Sequence, residues 1–379
     1  MEKLFLPVRT GKRIAIAFSA TMFLFLSCRK FDHFNPILKH FTQVNLVDNN
    51  GEYHASHLDP GLINAWGIAW TPNGFAWVNA EDGHVSNIYT GEGATVRPPV
   101  AIPSPGDFTT GSPTGIVFNG TDAFVLEKGG PARFIFVGVD GVLSGWNQEF
   151  GNTAGRIKDN SATSAYTGLT MAIVNGDPYL YAADFRANKI VVWNGTFGVE
   201  NWSFTDPHIP AGYAPFNIQS VGDWLYVTYA KVGDDGEEEK GDGLGFVDVY
   251  SPTGTLIKRL ASNGALNAPW GIAWAPASFF KDMEADWDNV EMGKGKGKVD
   301  LSNINIILVG NFGNGYINAF TENGFFLGPL KSKGKPIEID GLWAISFPPS
   351  TSAIDHNRLY FAAGPDDEED GLFGYIIKQ

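Results

Sequence analysis

A chain of 379 residues, 44% of them hydrophobic and 18% charged, can bury a large core, and its 46 glycines and 22 prolines point to an all-β protein rather than a helical one. A formal net charge of −14 excludes the clustered positive surface that nucleic acid requires, so no nucleic-acid partner is expected. The single cysteine excludes an intrachain disulfide.

At the N-terminus, Lys3, Arg9, Lys12 and Arg13 precede an apolar run at 14–26. Its 13 residues fall short of the roughly 20 that a membrane-spanning helix uses, so residues 1–27 read as a secretion signal. The run ends at Leu26-Ser27-Cys28, which resembles a bacterial lipobox with Phe25 where leucine is usual. On that resemblance Cys28 is the lipidation site, and acyl chains at about 0.8 kcal/mol per buried methylene hold the protein on a membrane. Residues 28–40 then form a tether, and the expected address is the envelope of a Gram-negative bacterium, at its outer membrane.

The segment 42–47 sets Val44 and Leu46 against Gln43 and Asn45, which is the period of a strand. Six related strings follow: Trp66-Gly67-Ile68-Ala69-Trp70, Thr114-Gly115-Ile116-Val117-Phe118, Thr167-Gly168-Leu169-Thr170-Met171, Phe216-Asn217-Ile218-Gln219-Ser220, Trp270-Gly271-Ile272-Ala273-Trp274 and Trp343-Ala344-Ile345-Ser346-Phe347. Their second residues stand at 67, 115, 168, 217, 271 and 344, at intervals of 48, 53, 49, 54 and 73. A period near fifty carried by short β-rich runs predicts propeller blades.

Residues 41–379 are therefore expected to form one six-bladed β-propeller. Each string opens a blade as its inner strand, and two further apolar runs follow it, as at 179–183 and 190–193 in the third blade. Weaker outer strands are expected at 96–102, 154–159, 202–204, 255–260 and 325–330. The sixth blade runs out of chain, and an unpaired edge invites aggregation, so 42–47 is assigned as its outer strand, closing the ring. An insertion at 280–302, holding the run Gly293-Lys294-Gly295-Lys296-Gly297-Lys298, separates the first two strands of blade five. It lacks the context of a phosphate-binding loop and reads as solvated.

Strand order gathers the loops into each inner strand, and those joining second to third strands, on one face about the axis. Candidate ligand-binding residues there are Trp66, Asp184, Asn217, Tyr229, Trp270, Asn311, Asp340 and Asp366. They are aromatic, acidic or amide, and no His, Lys or Arg is placed among them. Oxygen ligands without His or Cys suit calcium, with Asp184 and Asn311 the candidate metal ligands. Both read first as caps of their own turns, ahead of a metal role, and Trp66, Trp270 and Trp343 read first as packing between blades, ahead of ligand stacking. The acidic runs 234–242 and 366–370 lack the order of a calcium loop and read as solvated. Among seven histidines no zinc motif occurs, and no serine-hydrolase elbow is present in the chain.

The strings Asn64-Ala65-Trp66-Gly67-Ile68-Ala69, Ala211-Gly212-Tyr213-Ala214-Pro215-Phe216-Asn217-Ile218-Gln219, Asn267-Ala268-Pro269-Trp270-Gly271 and Gly371-Leu372-Phe373-Gly374 resemble an uncharacterised family of secreted bacterial propellers. More distantly the chain is similar to NHL-repeat propellers and to calcium-dependent lactonase propellers. That likeness implies a propeller and carries no catalytic residue over by motif. Two readings follow from the mouth. One is a lipid-tethered binding or scaffold module for a glycan, peptide or protein. The other is a calcium-assisted hydrolase or lyase.

Overall fold

The computed structural model describes residues 38–287 and 297–379. The signal segment, Cys28, nearly all of the tether and most of the lysine–glycine run lie outside the described residues. Within them, six antiparallel sheets are each threaded outward from an inner strand. The inner strands are Ala65–Trp70, Pro113–Phe118, Tyr166–Val174, Tyr213–Val221, Pro269–Ala275 and Leu342–Ser346. Each contains one of the repeated strings or most of it, so the period near fifty is the spacing of blades.

The ring closes as the strand period at 42–47 predicts. Phe41–Asp48 pairs antiparallel with Leu372–Lys378, in register from Phe41 opposite Lys378 to Asp48 opposite Leu372. A bulge between Asn45 and Val47 breaks the alternation, so Leu46 and Val47 are both buried. Phe41 anchors the latch, its ring 5.1 Å from Phe279 and 6.3 Å from Phe280. Four of the outer strands overlap the expected spans, at Val100–Ala101, Gly155–Asp159, Leu256–Ser262 and Phe326–Pro329. In blade three the outer strand is Val199–Glu200, not 202–204. Trp202 there serves as a side-chain cover, its ring 4.7 Å from Tyr179.

Every inner strand carries one irregularity in its pairing with the second strand, and it falls at or beside the marker position of the repeat. The bulge turns the marker residue against the next inner strand around the ring. A Cβ on Gly67 would stand 2.4 Å from the Thr114 carbonyl oxygen, and one on Gly168 would stand 2.1 Å from Asn217 Oδ1. Glycine is required there by space. In blade four Asn217 replaces the glycine and uses its side chain for the same link, Nδ2 donating to the Trp270 carbonyl at 2.8 Å. Five of the six markers, Gly67, Gly115, Gly168, Asn217 and Gly271, thus draw the inner strands into a constriction around the axis.

Candidate functional site

Above the constriction, where the chain enters each inner strand, aromatic side chains fill the axis. Trp66 stacks on Trp343 at 3.4 Å between ring centroids, and Phe312 stacks on the same indole at 3.9 Å. Trp270 stands edge-on to both tryptophans, at 6.1 and 6.0 Å, and Phe216 lies 5.7 Å from Trp343. Trp270 Nε1 donates to the Thr167 carbonyl at 2.9 Å, and Trp343 Nε1 donates to Asn64 Oδ1 at 3.0 Å. With Trp66 and Trp270 each 5% exposed, these rings act as a plug.

Carboxylates crowd over the plug. The Asn64 amide donates to Glu368 Oε2 at 2.8 Å and, more weakly, to Glu81 Oε2 at 3.4 Å. Burial pushes Glu81 up to about 7; Asp82 and Glu368 add to the rise and a hydrogen bond from Ser112 opposes it. Burial likewise pushes Glu238 up to about 8, with Glu368 and Glu237 adding and Lys240 opposing. The expectation that no base stands at this mouth fails on Lys240. Its Nζ lies 4.5 Å from the Phe312 ring centroid and 4.0 Å from Asp367 Oδ1. The run 366–370 is not uniformly solvated either. Asp370 is buried, accepting from Tyr53 Oη at 2.7 Å and from the side-chain amides of Asn49 and Asn50. Asp366, Asp367 and Glu368 all take positive φ, of 56°, 50° and 73°, three left-handed non-glycine residues in succession.

The other expected site residues are scattered over this face. Asp184 is fully buried, and its Oδ1 accepts from Ala165 N at 3.2 Å and Ala187 N at 3.1 Å, tying the loop into blade three to the turn that follows. Its Oδ2 has no hydrogen-bond partner among the described residues. Asn311 donates to the Ala265 carbonyl and to Asn314 Oδ1, and its own oxygen has no partner among the described residues. Tyr229 is buried with its hydroxyl 2.8 Å from that of Tyr250, and burial raises its pKa far above the ordinary value. Asp340 and Asp366 are exposed together, the Asp366 amide donating to Asp340 Oδ2 at 3.1 Å. Calcium takes six to eight oxygens. Among the described residues no group of three or more His, Cys, Asp or Glu side chains is placed to hold an ion.

Open space lies below the constriction, where the inner strands end. A cavity of about 360 Å³ is walled there by Ile68, Ile116, Leu169, Ile272 and Ile345, the third letter of five of the six repeats. Gln219, Ser220 and Ser346 add polar groups, and Trp274 and Phe347 form its lip. The Ser346 hydroxyl accepts from Trp70 Nε1 at 3.1 Å and donates to the Phe347 carbonyl at 3.2 Å. The Gln219 amide and the Ser220 hydroxyl have no hydrogen-bond partner among the described residues. No titratable side chain among the described residues lines the cavity. Sequence reasoning passed over this end because the repeated strings were read as blade structure alone. A signal was present, since the fifth letter is aromatic in four of six repeats, at Trp70, Phe118, Trp274 and Phe347.

No protein-family model matches the chain. It is 30% identical over 348 residues to "Uncharacterized protein R648" of Acanthamoeba polyphaga mimivirus, covering 89% of this chain and 80% of that one. It is 31% identical over 353 residues to "Uncharacterized protein L690" of the same virus, covering 89% and 86%. Among solved structures, a streptogramin B lyase superposes with a TM-score of 0.47 at 12% identity, over 89% of this chain and 97% of that one. The virginiamycin B lyase of Staphylococcus aureus gives the same TM-score and identity, over 89% and 99%.

Proposed function

The chain belongs to the family of the mimivirus proteins R648 and L690, and from that premise we propose that it is a binding propeller, carried on a membrane by lipid at Cys28, that takes a small uncharged ligand into the lower end of its channel. One observation carries the reading: a cavity of about 360 Å³ has apolar walls, a few neutral polar groups and no titratable side chain. That is the size and lining of a small-molecule site. Among the described residues its lining holds no general acid or base, and neither serine has a His or Lys beside it to activate it.

Thermal shift against a panel of neutral metabolites tests this reading. A ligand that binds only the native state raises the melting temperature by mass action. At least one compound is expected to do so for the parent and not for Ser220→Trp, which fills the cavity. Conversion of that compound to a new product, seen by mass spectrometry, would replace binding with catalysis.

Glu81 and Glu238 favour a second reading, acid–base chemistry on a substrate resting over the plug, because burial raises both to near neutral pH, Glu238 with Lys240 nearby. Turnover abolished by Glu81→Gln and untouched by Ser220→Trp is the result that would select it.

A further inference from the structure

Resting on the assignment of the lower cavity as a ligand site, we propose that it receives the terminal residue of a neutral saccharide. The lining argues against two other ligand classes. A charged ligand would meet no counter-charge, because no ionisable side chain among the described residues lines the space. A wholly apolar ligand would bury the Gln219 amide and the Ser220 hydroxyl against hydrocarbon, and neither has a partner among the described residues to turn to.

What fits is an uncharged molecule with hydroxyls on one side and a C–H face on another. Gln219 and Ser220, adjacent on blade four, supply donors and acceptors to the hydroxyls. Ile68 and Ile116 form an aliphatic wall in blades one and two. Trp274, 39% exposed at the lip on blade five, offers an indole to the C–H face. The 221–224 hairpin reaches that ring through Gly222, at φ 58°, where even a Cβ would lie 3.4 Å from Trp274 Cζ3.

The constriction adds a geometric restriction. With the marker residues pressed on the next inner strand, and the aromatic plug above them, the cavity is blind. A saccharide chain cannot thread through it and must present an end.

The test uses the full chain in detergent, with calorimetry and saturation-transfer NMR. The probes are glucose, galactose, mannose, xylose and N-acetylglucosamine with their methyl glycosides, glucuronic acid and glucosamine as charged counterparts, and the uncharged apolar dye N-phenyl-1-naphthylamine. At least one neutral sugar is expected to bind, with its charged counterpart weaker by about tenfold or more. Gln219→Ala and Trp274→Ala are each expected to weaken it about tenfold, and Trp274→Tyr to restore it, in variants that melt with the parent. Binding of the dye alone, or equal binding of charged and neutral sugars, overturns the saccharide while leaving the cavity a ligand site. No binding of sugar or dye overturns both.

Discussion

Trp66 of blade one lies flat on Trp343 of blade six, their planes 18° from parallel, so the first and last repeats meet through two indoles on the axis. Trp343 is fully buried and also carries Phe312 on its other side. Truncating it removes the centre of the plug. Trp343→Ala is expected to cost about 3–5 kcal/mol by urea melting, whereas Trp274→Ala, at the exposed lip, is expected to cost under about 1 kcal/mol. Equal costs would mean that the plug does not hold the ring together.

The marker ring makes a separate prediction about glycine. At Gly67 the obstacle to a Cβ is the Thr114 backbone oxygen, 2.4 Å away, which cannot rotate aside. Gly67→Ala is therefore expected to cost more than about 2 kcal/mol. At Gly61 the nearest atom is the end of the Asp59 side chain at 3.4 Å, and Gly61→Ala is expected to stay within about 1 kcal/mol. Thermal melts of the two variants side by side decide it.

The same five letters explain what could be read from the chain and what could not. Their spacing fixes blade number, and the alternation of Val44 and Leu46 fixes the latch, because both are periodicities of backbone and burial. Depth along the axis is different. The first letter supplies the plug at Trp66, Phe216, Trp270 and Trp343, the second the constriction, the third the cavity wall, and the fourth and fifth its lip. Which end is filled depends on how large side chains from six strands pack at one point, and no single string contains that. Lys240 escaped notice for a related reason. It sits in an acidic run, and only folding brings its charge over Phe312.

The latch is predicted to be a structural requirement. Removing 41–48 exposes the Leu372–Lys378 edge along its length, and such an edge pairs with other chains. A chain beginning at residue 49 is expected to elute as aggregate in size-exclusion chromatography, and Phe41→Ala to remain monodisperse but lose about 3–5 kcal/mol. A monodisperse, stable truncated chain would show that the last blade closes without its fourth strand.

Lipid at Cys28 has a direct readout. The parent is expected in the detergent-rich phase of a detergent phase separation, and Cys28→Ser in the aqueous phase. Co-partitioning of the two proteins would remove the anchor from the proposal.

The carboxylates over the plug give the protein a pH dependence whose sign can be worked out. Burial holds Glu81 at about 7 and Glu238 at about 8, against an ordinary 4.5. Each therefore binds more protons in the fold than in the unfolded chain between those values. Stability falls as pH rises through that interval, and the loss is complete once pH exceeds the folded value. Asp248, which burial pushes up to about 6, contributes with the same sign at lower pH, so the parent curve alone does not isolate the cluster. The difference between parent and variant does. Glu81→Gln is expected to melt with the parent near pH 4.5, to gain on it as pH rises, and to hold a constant advantage above about 7. Glu238→Gln should reach its plateau about one unit higher. Melting temperatures from pH 4.5 to 9 measure both curves. A difference flat in pH would mean that these carboxylates are as well solvated in the fold as in the unfolded chain, and the acid–base reading of this end would go with it.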